Sequence, residues 1–307
     1  MRKVFGFGET VLDIIFKDGK PVGAKPGGSV LNAFVSLGRL GWEPNFISEY
    51  ANDDVGTLID SFLDENGVNT GYVNRFTDGK SALALAFLDS DNNAHYTFYK
   101  DFPEQRLQEL PNDLDSRDII VFGSIYASSR EVRNSVLRFL EMGREKGCLI
   151  VYDPNFRAAH LPELEEIRPR IIENINYSDI IRGSDEDFRL IFGLEDPEDV
   201  AAQIDTSSRI LLYTKNAEGV HVIHKSIRLT VPAEKISVVS TIGAGDNFNA
   251  GLVHVLLEKG ISRKDLAGIT GADLQLMAKT GVKFASHVCQ HYDNYISRKF
   301  AERLKTD

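Results

Sequence analysis

Cysteine is nearly absent: Cys148 and Cys289 stand alone in unrelated apolar surroundings. Neither belongs to a C-x-x-C pair or a zinc spacing, which excludes a disulfide framework and a cysteine-built metal centre and suits a reducing cytoplasm. Basic charge is also short. Against 45 Asp and Glu there are 35 Lys and Arg, a net charge of -10, and no run is basic enough for the clustered phosphate contacts of a nucleic-acid surface. Long apolar runs are missing too. No window approaches 18 apolar residues, and Met1-Arg2-Lys3 leads straight into Val4-Phe5-Gly6-Phe7 without an apolar signal segment. Neither membrane insertion nor export is expected, and the reading is cytoplasmic. No internal repeat or low-complexity linker is visible. An acidic chain of this kind holds a small anion only through a local device.

What is present is alternation. Short apolar runs at residues 4–8, 45–50, 119–122, 149–152, 178–181 and 210–213 read as strands. Helical spacing separates them at 30–40, 55–62, 130–145, 163–175 and 185–203. That order predicts an α/β fold with a doubly wound, mostly parallel sheet in one domain over residues 1–307. Two stretches, about 14–24 and 71–100, have period-2 patterning instead. In the first, Asp18-Gly19 supplies a hairpin turn; in the second, 82–88 and 95–99 flank Asp91-Asn92-Asn93. Together they predict a small β-sheet lid whose apolar outer face suits a homodimer contact, although a plain edge ribbon has the same pattern.

Chemistry concentrates in two motifs. Residues 240–251 read Ser-Thr-Ile-Gly-Ala-Gly-Asp-Asn-Phe-Asn-Ala-Gly and lead into an apolar helix. Glycines at a helix start let backbone N–H groups of Gly243, Ala244 and Gly245 converge on an anion, with the helix dipole adding positive potential. Asp246 then falls in the first turn, where a carboxylate beside an anion nest suits proton abstraction from an attacking hydroxyl. Alone, the same residues also make an ordinary glycine turn before an N-terminal carboxylate. The second motif is Asp13 after the first strand, followed by Gly27-Gly28-Ser29-Val30-Leu31-Asn32. Ligands of open α/β sheets bind beyond strand C-termini, where Asp13, Gly28 and Asn32 offer paired donors and acceptors for a polyol. A strand-to-helix turn with Asn32 as a capping residue is the plainer reading of that segment by itself.

Two lookalikes fail. Gly6-Phe7-Gly8 begins a dinucleotide fingerprint, but Val11 occupies the third glycine position. Gly79-Lys80-Ser81 ends like a phosphate loop, but Asn74 replaces the leading glycine and a strand pattern follows.

Gly-Ala-Gly-Asp opening a C-terminal helix, with Gly-Gly-x-x-x-Asn-Ala near the N-terminus, resembles the PfkB, or ribokinase-like, carbohydrate kinases across nearly the whole chain. The resemblance implies ATP and Mg²⁺ as nucleotide and metal, Asp246 as catalytic base, and Gly243 to Gly245 as anion hole. It implies sugar contacts from Asp13, Gly28 and Asn32. Asp153-Pro154-Asn155-Phe156-Arg157 resembles a fructokinase and 2-keto-3-deoxygluconate kinase segment, with Asn155 toward the sugar and Arg157 toward the transferred phosphoryl group; a surface Arg is the plainer reading. Thr214 and Gly219 resemble the nucleotide loop, where Asn216 replaces a glycine and tolerates left-handed backbone. Ser184 and Asp187 stand where the family has Asn and Glu, Asp187 being an indirect metal ligand on this reading. Ser286 either edges the adenine or sits in the core of its helix.

The function expected is phosphoryl transfer from Mg·ATP to a primary hydroxyl of a free sugar, fructose first. A 2-keto-3-deoxy sugar acid is the alternative, with Arg75, Lys80 and Lys100 as candidate cations; a sugar-binding relative without turnover is another. Ser240 replaces the first Asp of the family signature. That Asp supplies charge to a monovalent cation in many relatives, so little stimulation by potassium is expected.

Overall fold

A computed structural model describes residues 2–88 and 94–306. The Asp91-Asn92-Asn93 turn lies outside the described residues. The chain opens with β1 (Val4–Phe7), the hairpin β2 (Val11–Lys17) and β3 (Lys20–Gly27), α1 (Ser29–Arg39), β4 (Asn45–Ala51), α2 (Asp54–Glu65) and β5 (Asn69–Phe76). The antiparallel pair β6 (Lys80–Leu88) and β7 (Ala94–Asp101) precedes an alternating run. This comprises β8 (Ile119–Gly123), α3 (Arg133–Lys146), β9 (Leu149–Asp153), α4 (Leu164–Tyr177), β10 (Ile180–Ser184), α5 (Asp185–Phe192), α6 (Pro197–Gln203) and β11 (Ile210–Lys215). A hairpin of β12 (Gly219–His224) and β13 (Ile227–Val231) follows, then α7 (Ala244–Glu258), α8 (Gly271–Cys289) and α9 (Arg298–Thr306).

Among the described residues, nine strands form one sheet in the order β13-β12-β11-β10-β9-β8-β1-β4-β5, parallel except at β12 and β13. The strands read as unbroken apolar runs because both faces are covered. Val4, Ile119, Val121 and Val151 pack with Phe34 of α1, Phe248 and Leu252 of α7 and Phe284 of α8. Their neighbours Phe5, Ile120, Phe122 and Tyr152 face the other way, onto Phe139 of α3, Ile171 of α4 and Phe188 of α5. The doubly wound expectation is met. No helix among the described residues is long and apolar enough to cross a membrane.

The small sheet runs β3-β2-β6-β7. Asp18 and Gly19 both take positive φ (51° and 72°), the geometry of a two-residue hairpin turn. Residues 69–76 depart from the ribbon expected over 71–100: β5 pairs parallel with β4 at the edge of the large sheet, so the small sheet takes that stretch only from Lys80 onward. The helix expected over 185–203 is two helices. Gly193 closes α5 in left-handed conformation, and the Asp196 side chain accepts from Glu198 N to start α6 at Pro197.

Candidate active site

α7 starts from Gly243 as N-cap, with Ala244, Gly245 and Asp246 as its first three residues. Gly243 has φ 80°, and a Cβ there would come within 2.7 Å of Asn294 O, so only glycine fits. No side chain caps this end. Ala244 N donates to Thr241 O at 3.2 Å, an arrangement that tightens the turn. A helix start without a capping side chain presents N–H groups and positive potential to an incoming anion.

Asp246 faces α1, where Asn32 Nδ2 donates to its Oδ2 at 2.8 Å. Burial pushes the Asp246 carboxyl up to about 7; Asp153 adds to the effect, while the Asn32 bond, Arg157 and Arg182 oppose it. Asn32 Oδ1 is buried and has no partner, an acceptor that fits a sugar hydroxyl. Below this pair, Ser36 Oγ donates to Asn247 Oδ1 at 2.5 Å, and Asn247 Nδ2 donates to Gly243 O and Asn294 O at 2.8 and 2.7 Å. α1, α7 and the segment after α8 are thereby fixed to one another.

The small sheet brings Asp13 to the same cleft. Register places Asp13, Ala84 and Phe98 across one face, and Ile15, Ala86 and Tyr96 beside them. Ala84 and Ala86 are the small, buried residues of that face, while the Tyr96 and Phe98 rings are exposed. Burial pushes Asp13 up to about 6, with Lys25 opposing. Tyr96 is raised by burial and by Asp13 and lowered by Arg157, so the three converge. At Gly28, φ is 145° and a Cβ would lie 2.3 Å from Glu9 O, which brings the start of α1 against the end of β1. Glu9 accepts from Ser124 Oγ at 2.8 Å; burial raises its carboxyl, opposed by Ser124 and by the charges of Lys100 and His160.

Arg157 is exposed at the cleft mouth, and Asn155 takes left-handed backbone (φ 39°) with its N–H on Asp153 Oδ1 at 2.9 Å. Beside the anion turn, Asp153 Oδ2 accepts from Arg182 Nη1 at 2.9 Å and Asn249 Nδ2 at 2.6 Å. Arg182 Nη2 donates to Thr214 Oγ1 at 2.7 Å. The guanidinium lies against Gly245, where a Cβ would come within 2.5 Å of Nη1. Burial opposes its charge, but Asp153, Asp187 and Asp246 outweigh that and keep it protonated.

The other expected nucleotide and metal residues carry structural duties. Ser184 is the N-cap of α5 and accepts from Asp187 N. Asp187 Oδ2 takes Ser184 N and Oγ at 2.6 and 2.5 Å, and Oδ1 takes Phe156 N at 2.6 Å. Its oxygens are thus largely spent on local bonds. Gly219 (φ 101°) opens β12 hard against Val231 O, and Asn216 accepts left-handed backbone (φ 40°) as expected. Ser286 is buried within α8. Among the described residues no group of three or more His, Cys, Asp or Glu is placed to hold a metal ion.

Arg182, Asn249, Glu9 and Tyr96 escaped the sequence reading. Arg182 had a visible signal, a lone charge closing the apolar run Ile180-Ile181 of a strand covered on both faces. Tyr96 had none, because lid register is not written in local pattern. A hollow of about 330 Å³ lined by Glu141, Arg144 and Tyr177 lies elsewhere and carries none of these groups.

An uncapped helix start, a buried carboxyl raised to about 7 beside it and the orphan acceptor of Asn32 thus meet where α7 faces α1. Residues 1–299 match the pfkB family carbohydrate kinase, and the chain belongs to that family. It is a kinase with a sugar acceptor. It is 29% identical over 275 residues to fructokinase-1 of Oryza sativa subsp. japonica, 85% of each chain being covered. In fold it is similar to aminoimidazole riboside kinase of Salmonella enterica complexed with aminoimidazole riboside and an ATP analog (TM-score 0.84, 22% identity, 99% of each chain). It is also similar to fructokinase of Vibrio cholerae O395 in a fructose, ADP and calcium ion bound form (TM-score 0.82, 19% identity, 97% of this chain and 96% of that one).

Proposed function

We propose that this protein transfers the γ-phosphoryl group of ATP to a primary hydroxyl of fructose. The observation that carries the reading is Asp246: a buried carboxyl raised to about 7, held by Asn32 beside an uncapped helix start. A base with that affinity for protons is matched to a hydroxyl losing its proton as it attacks phosphorus near neutral pH. The sugar lies between Asp13, Gly28, Asn32 and the Tyr96–Phe98 face, with Asn155 at its edge. Its deprotonated oxygen attacks the γ-phosphorus, ADP leaves, and Gly243 to Gly245, with Arg157 at the mouth, stabilise the transferring charge. The nucleotide extends along Ser184, Thr214 and Gly219 toward Ser286. Mg²⁺ bound with ATP would shield its phosphates, with Asp187 as an indirect contact.

A neutral sugar is favoured over a sugar acid because two of the three candidate cations are turned away. Arg75 lies on β5 in the large sheet and bonds Asp60 at 2.6 Å. Lys80 sits where its charge acts on Asp53, the cap of α2. Lys100 faces the Glu9 carboxylate. We also propose a homodimer through the outer face of the lid, where Phe16 and Phe87 stack at 4.9 Å and Tyr99 is 58% exposed. The deciding experiment is coupled ADP release over fructose, ribose, 2-keto-3-deoxygluconate, tagatose and adenosine. Fructose should give the highest kcat/KM. Preference for the sugar acid would refute the substrate, and no turnover with any would point to a binding protein.

A further inference from the structure

Lys25 lies on the β3 strand of the lid, yet its ammonium leaves the lid. It donates to Tyr292 O and to Asn294 Oδ1, both at 2.9 Å. In the β2–β3 ladder it stands opposite Asp13, the expected sugar ligand. The segment it grips packs directly against the anion turn. The Asn294 carbonyl lies against Gly243 so closely that a Cβ there would come within 2.7 Å of its oxygen, and the same oxygen accepts from Asn247 Nδ2 at 2.7 Å. Ile296 N then donates to Ser36 Oγ on α1. One continuous set of bonds therefore runs from the sugar-facing lid strand, through residues 292–294, to the helix start that receives the phosphoryl group.

The donors around this turn bear on the monovalent cation expected from the family resemblance. Ser240 offers no charge, and its hydroxyl accepts from Ile242 N at 3.2 Å. Cys289 O is taken by Val239 N and Ser240 N at 2.8 and 3.2 Å. Tyr292 O and Asn294 Oδ1 are taken by Lys25. The Lys25 ammonium occupies these two oxygens, with the Asp293 and Asp13 carboxylates favouring its charge, so the positive charge at this place is part of the chain. These residues do not fit a further monovalent cation.

We propose that Lys25 is a positioning residue for phosphoryl transfer: a tethered cation that ties residues 292–294 to the lid and holds the Gly243 turn in register with the sugar bound at Asp13. A misplacement of the turn relative to the attacking oxygen is costly because transfer depends on alignment. The rate part of the test rests on the sugar-kinase reading; the exchange part does not.

Amide hydrogen exchange over residues 290–297 is compared in the wild type, Lys25→Met and Lys25→Arg, and kcat is measured against KCl at constant ionic strength. Lys25→Met should lose protection across 290–297 at an unchanged melting temperature, and its kcat should fall about tenfold or more. Methylammonium or potassium should restore part of that rate saturably. Lys25→Arg should retain the protection, and the wild type should be flat against KCl. Unchanged exchange in Lys25→Met would overturn the proposal whether or not a substrate is in hand. So would a steep, saturable potassium response of the wild type. Should no sugar turn over, the exchange comparison alone decides the role of Lys25, and the substrate assignment fails separately.

Discussion

Asp246 and Asp187 occupy the same local position, the third residue of a helix, and have opposite fates. α5 begins with Ser184, whose hydroxyl accepts from Asp187 N while the carboxylate reaches back to Ser184 N. The same reciprocal box forms between Ser262 and Asp265 and between Thr270 and Asp273. α7 begins with Gly243, which has no side chain to answer with. Its carboxylate is left to turn outward to Asn32 and the cleft. The residue at the cap, three places before the acid, decides whether the acid is spent on the helix end or left to face the cleft.

The strongest test of that contrast is Asp246→Asn. It keeps shape and loses basicity, so kcat should fall about 10² to 10⁴-fold with sugar affinity little changed; near-normal turnover would remove Asp246 as the base. Next in size, Asp13→Ala should weaken sugar binding by about ten- to a hundredfold through the loss of charge-assisted bonds, leaving the nucleotide alone. Calorimetric titration with each ligand separates the two, and equal loss of both would point to a disturbed fold. Asp187→Asn should cost about 1 to 2 kcal/mol of stability, as loss of a cap does, while the folded protein keeps kcat within about tenfold. A loss of turnover matching that of Asp246→Asn at an unchanged melting temperature would break the comparison.

The same contrast can be read in pH. With Asp246 at about 7, kcat/KM should rise toward alkaline pH with an inflection near neutrality, since only the ionised form accepts a proton. The stability sign is the reverse. A carboxyl raised from 3.8 to about 7 on folding contributes stability that is present below about pH 4 and lost as pH rises through about 7. Asp246→Asn should therefore be more stable than the wild type at about pH 8, by no more than about 4 kcal/mol, and equally stable below about pH 4. Parallel melting curves at both pH values would show that Asp246 is not buried as described.

Much of this was legible in the chain. The apolar runs gave the parallel sheet because burial on both faces leaves no room for polar alternation, and Gly243-Ala244-Gly245-Asp246 announced its helix start through glycines that only a close approach requires. The sheet to which β5 belongs is not legible, because residues 69–76 alternate as an edge strand does, whichever sheet owns the edge. Arg182 and Asn249 are partners of Asp153 from elements 29 and 96 residues away, and that pairing depends on strand order, which local spacing does not record.

The Ser36 hydroxyl joins two parts of the chain that are made far apart in time. It donates to Asn247, 211 residues later, and accepts from Ile296 N, 260 residues later. The helix that carries Asn32 is thus complete early in synthesis, with its apolar face toward a helix that does not yet exist. A chain that stops before residue 246 carries Asp13, Gly28 and Asn32 but neither the Asn32–Asp246 nor the Ser36–Asn247 bond that ties their helix to α7.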